Sequence, residues 1–447
     1  MPLTASPSIH DIEDAAALLR GAIAQTPCIE SPGLSAIAGA RIWLKLENMQ
    51  RTGSFKVRGA YVKLCSLTQI EREAGVVAVS AGNHAQGVAC HGAQLGIATT
   101  IVMPKTTPYV KIRRTQALGA RVLLSGTNLT EAAIDAQALA ITEHLTMIHP
   151  YDDPHVIAGQ GTVGLELIDT RASTGWAVPR VGSSTSMCPP TLAHPCASQA
   201  RDDNKTDSFD AVVVPVGGGG LISGIAIALK ALSPGTRIIG VQSETHPSLY
   251  RALYGTHAPA QALPTLAEGI AVKEAGAITS SIVREKVDEI VLVDEFHLER
   301  ALHLLLEEEK TLAEGAGAAA LAAVLRYPEK FAGARVALVV SGGNVDTGLV
   351  ASVILRARYQ EGRVVRLRVQ IVDAPGSLAQ ISVLVAEHHA NVLEVSHHRS
   401  FSGVPAKCAE LDLTLELRSP ADIDGVLASL RSAAFKTTLL DRSLAHA

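Results

Sequence analysis

Ala211-Val212-Val213-Val214-Pro215-Val216-Gly217-Gly218-Gly219-Gly220-Leu221-Ile222-Ser223-Gly224 passes from an apolar run through four glycines into a second apolar stretch. An apolar run that does not alternate is the mark of a parallel strand covered on both faces. Glycines directly after it, with a helical pattern from Leu221, make a strand-to-helix turn. Its backbone N–H groups can approach a ligand with no Cβ in the way. The segment predicts an α/β fold whose ligand sits at the carboxyl ends of the strands.

The same alternation extends in both directions. Apolar runs at 76–79, 99–103, 211–216, 237–241, 289–293 and 336–340 predict further parallel strands. Helical patterns lie between them at 84–95, 111–118, 130–143, 156–168, 221–232 and 298–309. The rhythm breaks at about 170–208, a stretch rich in Ser, Thr, Pro and Asp that predicts a surface insertion. Cys188 and Cys196, with His194 between them, are too few to specify a metal site. It breaks again at 358–363, a polar hinge. Beyond the hinge, Val364 to Val372 alternates as a half-exposed strand does. A turn, Asp373-Ala374-Pro375-Gly376-Ser377-Leu378, then leads into a helix. Strands at 391–398 and 408–416, a helix at 421–432 and a strand near 437–440 complete a ferredoxin-like βαββαβ plan. The expected domains are 1–355, with a smaller subdomain at about 53–150, and 363–447.

Composition narrows the function. Of 447 residues, 47% are hydrophobic and 18% charged, enough to bury a large core. Lys plus Arg number 39 against 43 acidic residues, a formal charge of −4 that argues against nucleic acid as a partner. No apolar run is long enough to predict a membrane span, and the N-terminus does not read as a secretory signal. Six cysteines without a CxxC read as reduced thiols of a cytoplasmic protein.

Three more loops carry candidate chemistry. In Ser54-Phe55-Lys56-Val57-Arg58-Gly59-Ala60, Lys56 falls where a helix begins. There the positive end of the helix dipole disfavours an ammonium, which suits an amine that must react as a free base. The plainer reading is a solvated lysine. Ser80-Ala81-Gly82-Asn83-His84-Ala85-Gln86-Gly87 follows the 76–79 strand and opens a helix. It is either an anion cradle suited to a carboxylate or an ordinary turn with Asn83 as its cap. Ser341-Gly342-Gly343-Asn344 ends the 336–340 strand, where a serine can offer a neutral hydrogen bond to a ring nitrogen. The run Gly217 to Gly220 also admits a dinucleotide reading, because Glu244 lies near the position of a ribose-binding acid.

Taken together and in this order, SFKVRGA, SAGNHAQG, VPVGGGGL and SGGN resemble the fold-type II pyridoxal-phosphate enzymes, within them the threonine dehydratase and serine racemase group. DAPGSL resembles the start of an ACT-type regulatory domain. The resemblance implies pyridoxal 5'-phosphate as cofactor, with Lys56 as the Schiff-base lysine and Asn83 beside the ring hydroxyl. It implies Gly217, Gly218, Gly219, Gly220 and Leu221 as the phosphate loop and Ser341 at the pyridine nitrogen. Ser80 and the loop amides of Asn83 and His84 match the substrate-carboxylate site, and Glu314 an acidic residue near the ring. The implied activity is loss of water and ammonia from L-threonine, giving 2-oxobutanoate, with L-serine giving pyruvate. A small amino acid as effector at the C-terminal domain and a homo-oligomer, dimer or tetramer, are implied as well.

Two departures bear on the reaction. Racemases of this group carry a second serine where this chain has Ala81, so elimination is favoured over two-base racemisation. Some relatives hold a divalent cation after the strand near Val241. Gln242-Ser243-Glu244-Thr245-His246 offers one carboxylate with no second nearby, so no metal is expected. The competing functions are a serine racemase or β-replacing enzyme of the same fold, a dinucleotide-dependent oxidoreductase and a non-catalytic amino-acid sensor. The combined set of Lys56, Asn83, the four glycines and Ser341 speaks against the last.

Overall fold

The computed structural model describes residues 6–169, 208–255, 263–399 and 405–441. The insertion expected at about 170–208 lies, but for its last residue, outside the described residues. The chain divides into two compact units, 1–345 and 346–447.

The first unit is built on two sheets. Strands β1 (Cys28–Ser31) and β2 (Arg41–Leu46) begin one of them. Strands β3 (Val76–Val79), β4 (Thr99–Met103), β5 (Arg121–Leu124) and β6 (Thr146–Met147) form the other, all parallel, in the order β5-β4-β3-β6. The chain then returns to the first sheet with β7 (Ala211–Pro215), β8 (Arg237–Ser243), β9 (Glu289–Val293) and β10 (Arg335–Val340). That sheet runs β1-β2-β10-β7-β8-β9 and is parallel except for β1.

Every residue of β7 is buried, as its unbroken apolar run predicts. Val212 and Val214 pack with Ala337 and Val339 of β10 and with Ile222 and Ile225 of the helix Gly220–Leu232. Each such side chain contributes about 1.5–3 kcal/mol on leaving water.

Strand pairing places the site. Because β2 lies beside β10, the loop after β2 runs against the loop after β10. Phe55 N–H donates to Ser341 O at 3.1 Å, and Gly343 N–H donates to Gly53 O at 2.8 Å. β2 ends at Leu46 because Glu47–Met49 turns as a single 3-10 turn. That turn aims the Glu47 carboxylate inward at Arg58, where it is fully buried.

The second unit holds β11 (Val364–Val372), β12 (Asn391–His398), β13 (Cys408–Glu416) and β14 (Lys436–Asp441), antiparallel, in the order β12-β13-β11-β14. With helices Ser377–Glu387 and Asp422–Ser432 this is the expected βαββαβ plan. Its core contains Leu367, Val369, Leu411 and Leu413 from the sheet, and Ile381 and Val426 from the helices. On alternate positions of the strands, Arg368 holds Asp412 through two bonds of 2.7 and 2.8 Å. The helix Thr347–Gln360 belongs to this unit. No described helix is long and apolar enough to cross a membrane.

Candidate active site

Lys56 is the first residue of the helix Lys56–Cys65. Its side chain turns inward rather than standing in solvent. Its Nζ donates to Pro150 O at 2.7 Å, and among the described residues it forms no ion pair. Burial pushes its pKa down to about 8, opposed by the negative charge of Glu314. Desolvation, rather than the helix dipole expected from sequence, is the leading cause. Helix Asn83–Leu95 crosses close by: a Cβ on Gly87 would stand 3.2 Å from the backbone of Lys56.

The loop after β3 presents amides, not side chains. The N-cap of the following helix is Gly82, with no side-chain cap, so Asn83 is its first residue rather than its cap. The first helical bond runs from Gln86 N–H to Gly82 O. The N–H groups of Asn83, His84 and Ala85 therefore lie ahead of the ladder, as at any helix start. A Cβ on Gly82 would meet nothing within 4 Å, so open space fronts these amides. Ser80 is partly buried, and its Oγ accepts from Gly82 N–H at 3.1 Å. The His84 imidazole points away from this space. It is buried, and its Nε2–H donates to Ile148 O at 3.0 Å. Burial holds its pKa down at about 3, so the ring is neutral.

Asn83 is clamped on both sides. Its Nδ2 donates to Glu314 Oε1 at 2.6 Å, and its Oδ1 accepts from Asn344 Nδ2 at 2.8 Å. Asn344 also donates to Thr52 O at 2.7 Å. Glu314 caps the start of the helix Gly315–Arg326 by position. A Cβ on Gly342 would stand 2.6 Å from its Oε1, so the glycine leaves room for the carboxyl. Burial pushes the Glu314 pKa up to about 7, opposed by the Asn83 hydrogen bond.

The glycine run forms the second cradle. Gly219 lies in the left-handed region at φ +94° and is the N-cap of Gly220–Leu232. A Cβ there would be strained and would stand 2.9 Å from Thr279 Cβ. The first helical bond is Ser223 N–H to Gly219 O, and among the described residues no acceptor takes the N–H groups from Gly217 to Ile222. Gly218 and Gly220 have a second role unseen in the sequence: a Cβ on either would run into Tyr151. Ser341, 3% exposed, has no hydrogen-bond partner for its Oγ among the described residues.

Sequence reasoning missed the strap 148–152 that joins these parts. Ile148 O accepts from His84, Pro150 O from Lys56, and Tyr151 packs against the glycine run. His149 Nδ1 accepts from Tyr151 N–H and Asp152 N–H at 3.3 and 2.7 Å. No motif signals these contacts, since each partner outside the strap is distant in sequence.

Beneath the site lies a buried ion network. Arg58, fully buried, pairs with both oxygens of Glu47 at 2.8 Å and with Glu166 at 2.6 and 2.9 Å. Lys45 joins through Glu166 at 2.5 Å and Thr26 O at 2.7 Å. At the end of β8, sequence places no second carboxylate beside Glu244. The structure corrects this: Asp294, just past β9, comes alongside because β8 and β9 pair. Arg326 lies between them, 2.6 Å from Glu244 and 3.3 Å from Asp294.

The residues present fit pyridoxal 5'-phosphate. Unpartnered amides at a helix start suit its phosphate, a desolvated amine suits its aldehyde, and the free Ser341 hydroxyl suits a ring nitrogen. Residues 19–342 match the pyridoxal-phosphate dependent enzyme family, and residues 360–434 match an ACT domain. The L-threonine ammonia-lyase of Thermotoga maritima is 42% identical over 412 residues, covering 92% of this chain and 93% of its own. Among solved structures, a threonine deaminase from T.th. is 37% identical with a TM-score of 0.64, covering 76% of this chain and 99% of that one. Serine racemase from Dictyostelium discoideum is 30% identical with a TM-score of 0.64, covering 76% of this chain and 100% of its own.

Proposed function

The chain belongs to the pyridoxal-phosphate dependent enzyme family, and on that premise we propose that it converts L-threonine to 2-oxobutanoate and ammonia, with L-serine to pyruvate as a side reaction. The observation that carries this reading is the Lys56 amine, desolvated and, among the described residues, hydrogen-bonded only to the Pro150 carbonyl. When bound, pyridoxal 5'-phosphate supplies an electron sink for the pair left behind as the substrate loses its α-proton.

The chain's own residues do the rest. Lys56 holds the cofactor and then takes the α-proton as general base. The amides of Gly217, Gly218, Gly219, Gly220 and Leu221 bind the phosphate. The amides of Asn83 and His84, with Ser80, bind the substrate carboxylate. The Asn83 carboxamide, fixed by Glu314 and Asn344, bonds the ring hydroxyl. Ser341 meets the ring nitrogen without protonating it. A neutral hydrogen bond from Ser341, in place of a carboxylate, would favour prompt loss of the β-hydroxyl. Ala81 offers no proton on the opposite face, which disfavours racemisation.

The second unit acts as an ACT-type domain that either binds a small amino acid as effector or, through its sheet edge, pairs subunits of a dimer or tetramer. In this reading the enzyme works in the cytoplasm, in isoleucine biosynthesis. The supporting feature is the turn 373–378. Gly376, at φ +95°, is the N-cap of the helix Ser377–Glu387 with no side-chain bond; Ser377 N–H donates to Ala374 O, and the N–H groups of Leu378 and Ala379 lie ahead of the first helical bond, Gln380 N–H to Gly376 O.

The test is direct. The purified protein is expected to be yellow, to make 2-oxobutanoate from L-threonine, and to lose both colour and turnover in Lys56→Ala. Normal turnover in that variant refutes the site, and D-serine accumulating from L-serine faster than pyruvate replaces the lyase with a racemase.

A further inference from the structure

The helix Ala277–Lys286 has no cap of its own. Its N-cap position is Gly276, which carries no side chain to bond the first amides. A residue 124 positions earlier does this instead. Asp152 Oδ2 accepts from Ala277 N–H at 2.9 Å, and its Oδ1 accepts from Thr279 N–H at 3.0 Å. The glycine makes room for it, since a Cβ on Gly276 would stand 2.3 Å from Asp152 Oδ1. A carboxylate here also meets the positive end of the helix dipole.

The capped residue Thr279 reaches the other cradle. It is fully buried, and its Oγ1 donates to Gly218 O at 2.7 Å. In a continuous helix the Gly218 carbonyl would accept from Ile222 N–H. Turned toward Thr279, it leaves that amide unpartnered. The Thr279 Cβ also fills the space a side chain on Gly219 would need. The neighbouring Tyr151 packs against Gly218 and Gly220 and donates its hydroxyl to Glu274 O at 3.1 Å.

We infer that Asp152 is a positioning residue for the cofactor's phosphate: by capping the helix Ala277–Lys286 it sets Thr279 against Gly218 and holds the glycine run with its amides turned outward. This rests on the reading of Gly217 to Gly220 as the phosphate site. The strap that bonds Lys56 at Pro150 would thereby organise the phosphate site as well, through Asp152 two residues later.

The experiment titrates cofactor-free full-length protein with pyridoxal 5'-phosphate and, separately, with pyridoxal, which lacks the phosphate. Asp152→Ala is expected to weaken the phosphorylated ligand about tenfold, the size of a lost helix cap, while pyridoxal binds as before. Asp152→Asn, which keeps one acceptor, falls between. Thr279→Val, which keeps the packing and removes the hydroxyl, shows the same selective loss. The 31P resonance of the bound cofactor shifts in all three. Equal loss of both ligands, or of neither, in Asp152→Ala and Thr279→Val overturns the positioning role. Gly219→Ala separates the two readings. If it loses the preference for the phosphorylated ligand while Asp152→Ala and Thr279→Val keep it, the phosphate loop stands and the role of Asp152 falls. If all three keep it, the loop assignment falls with it.

Discussion

Asn344 Nδ2 donates to Asn83 Oδ1 at 2.8 Å, tying the loop after β10 to the loop after β3 across 261 positions of chain. The two strands lie in different sheets, so this bond fixes one sheet's strand end against the other's. It also settles the orientation of the Asn83 amide, whose Nδ2 must then face Glu314.

Asn344→Asp is expected to be worse than Asn344→Ala. A carboxylate there turns an acceptor toward Asn83 Oδ1 and forces the amide to flip or withdraw. Alanine leaves Asn83 held by Glu314 alone, and losing one such bond costs about 1–3 kcal/mol. The comparison of kcat/KM for L-threonine in the two variants checks the order; equal losses would show that the bond does not orient Asn83.

The pH dependence of cofactor capture follows from Lys56. Its pKa near 8 lies below the ordinary lysine value of about 10.4, so the reactive free amine accumulates as pH rises through 8. The rate at which cofactor-free protein takes up pyridoxal 5'-phosphate should rise with a midpoint there. In Glu314→Gln the negative charge that favours the ammonium is gone, and the midpoint should move lower. Stopped-flow absorbance from pH 6 to 10 reads both. A midpoint that stays fixed or moves upward removes Glu314 from the environment of Lys56.

The catalytic outline was legible because its signals are local. Lys56 at a helix start, four glycines after a buried strand and Ser341 at a strand end each declare themselves within a few residues. The clamps on these groups come from afar. Asp152 caps a helix that starts at Ala277, Glu314 meets Asn83 across 231 positions, and Asp294 approaches Glu244 only because β8 and β9 pair. Edge strands were also hidden. Arg121–Leu124 has an apolar run of only three residues, Val122 to Leu124, and none of its residues is fully buried, unlike those of β7. Asn83 read as a cap from residue type alone, but Gly82 takes that position because its backbone conformation, φ −141° and ψ −139°, ends the ladder.

Arg58→Met should cost about 3–5 kcal/mol of stability, because it leaves the buried Glu47 carboxylate without its main partner and removes a partner of Glu166. Arg58→Lys should fail too, since one ammonium cannot bridge both carboxylates as the guanidinium fork does. Arg41→Met, which breaks only the exposed pair with Glu30, should cost about 1 kcal/mol or less. Urea unfolding of the three variants decides whether the network is structural. A small loss in Arg58→Met would mean that the pair's desolvation cost cancels its attraction.

The second unit should fold alone, and its boundary matters. Its core of Leu367, Val369, Leu411 and Leu413 closes against Ile381 and Val426, all within the unit. The helix Thr347–Gln360 contributes as well, since Arg358 pairs with Glu416 of β13. A fragment of residues 346–447 should therefore unfold cooperatively, and one of residues 363–447 should be weaker by about 1 kcal/mol or less, the worth of a part-exposed pair. If the unit senses an amino acid, calorimetric titration of 346–447 with isoleucine or valine shows binding, and Gly376→Val, strained at φ +95°, abolishes it. If it instead joins subunits, the exposed Leu393 and Val395 on the edge strand β12 are its means. Sedimentation then separates the full chain from residues 1–345 by oligomeric state. A ligand can control turnover only by binding one state better than the other. Residues 1–345 should accordingly keep L-threonine turnover and lose either the amino-acid response or the full chain's assembly state; a truncated enzyme unchanged in both leaves the second unit with neither role.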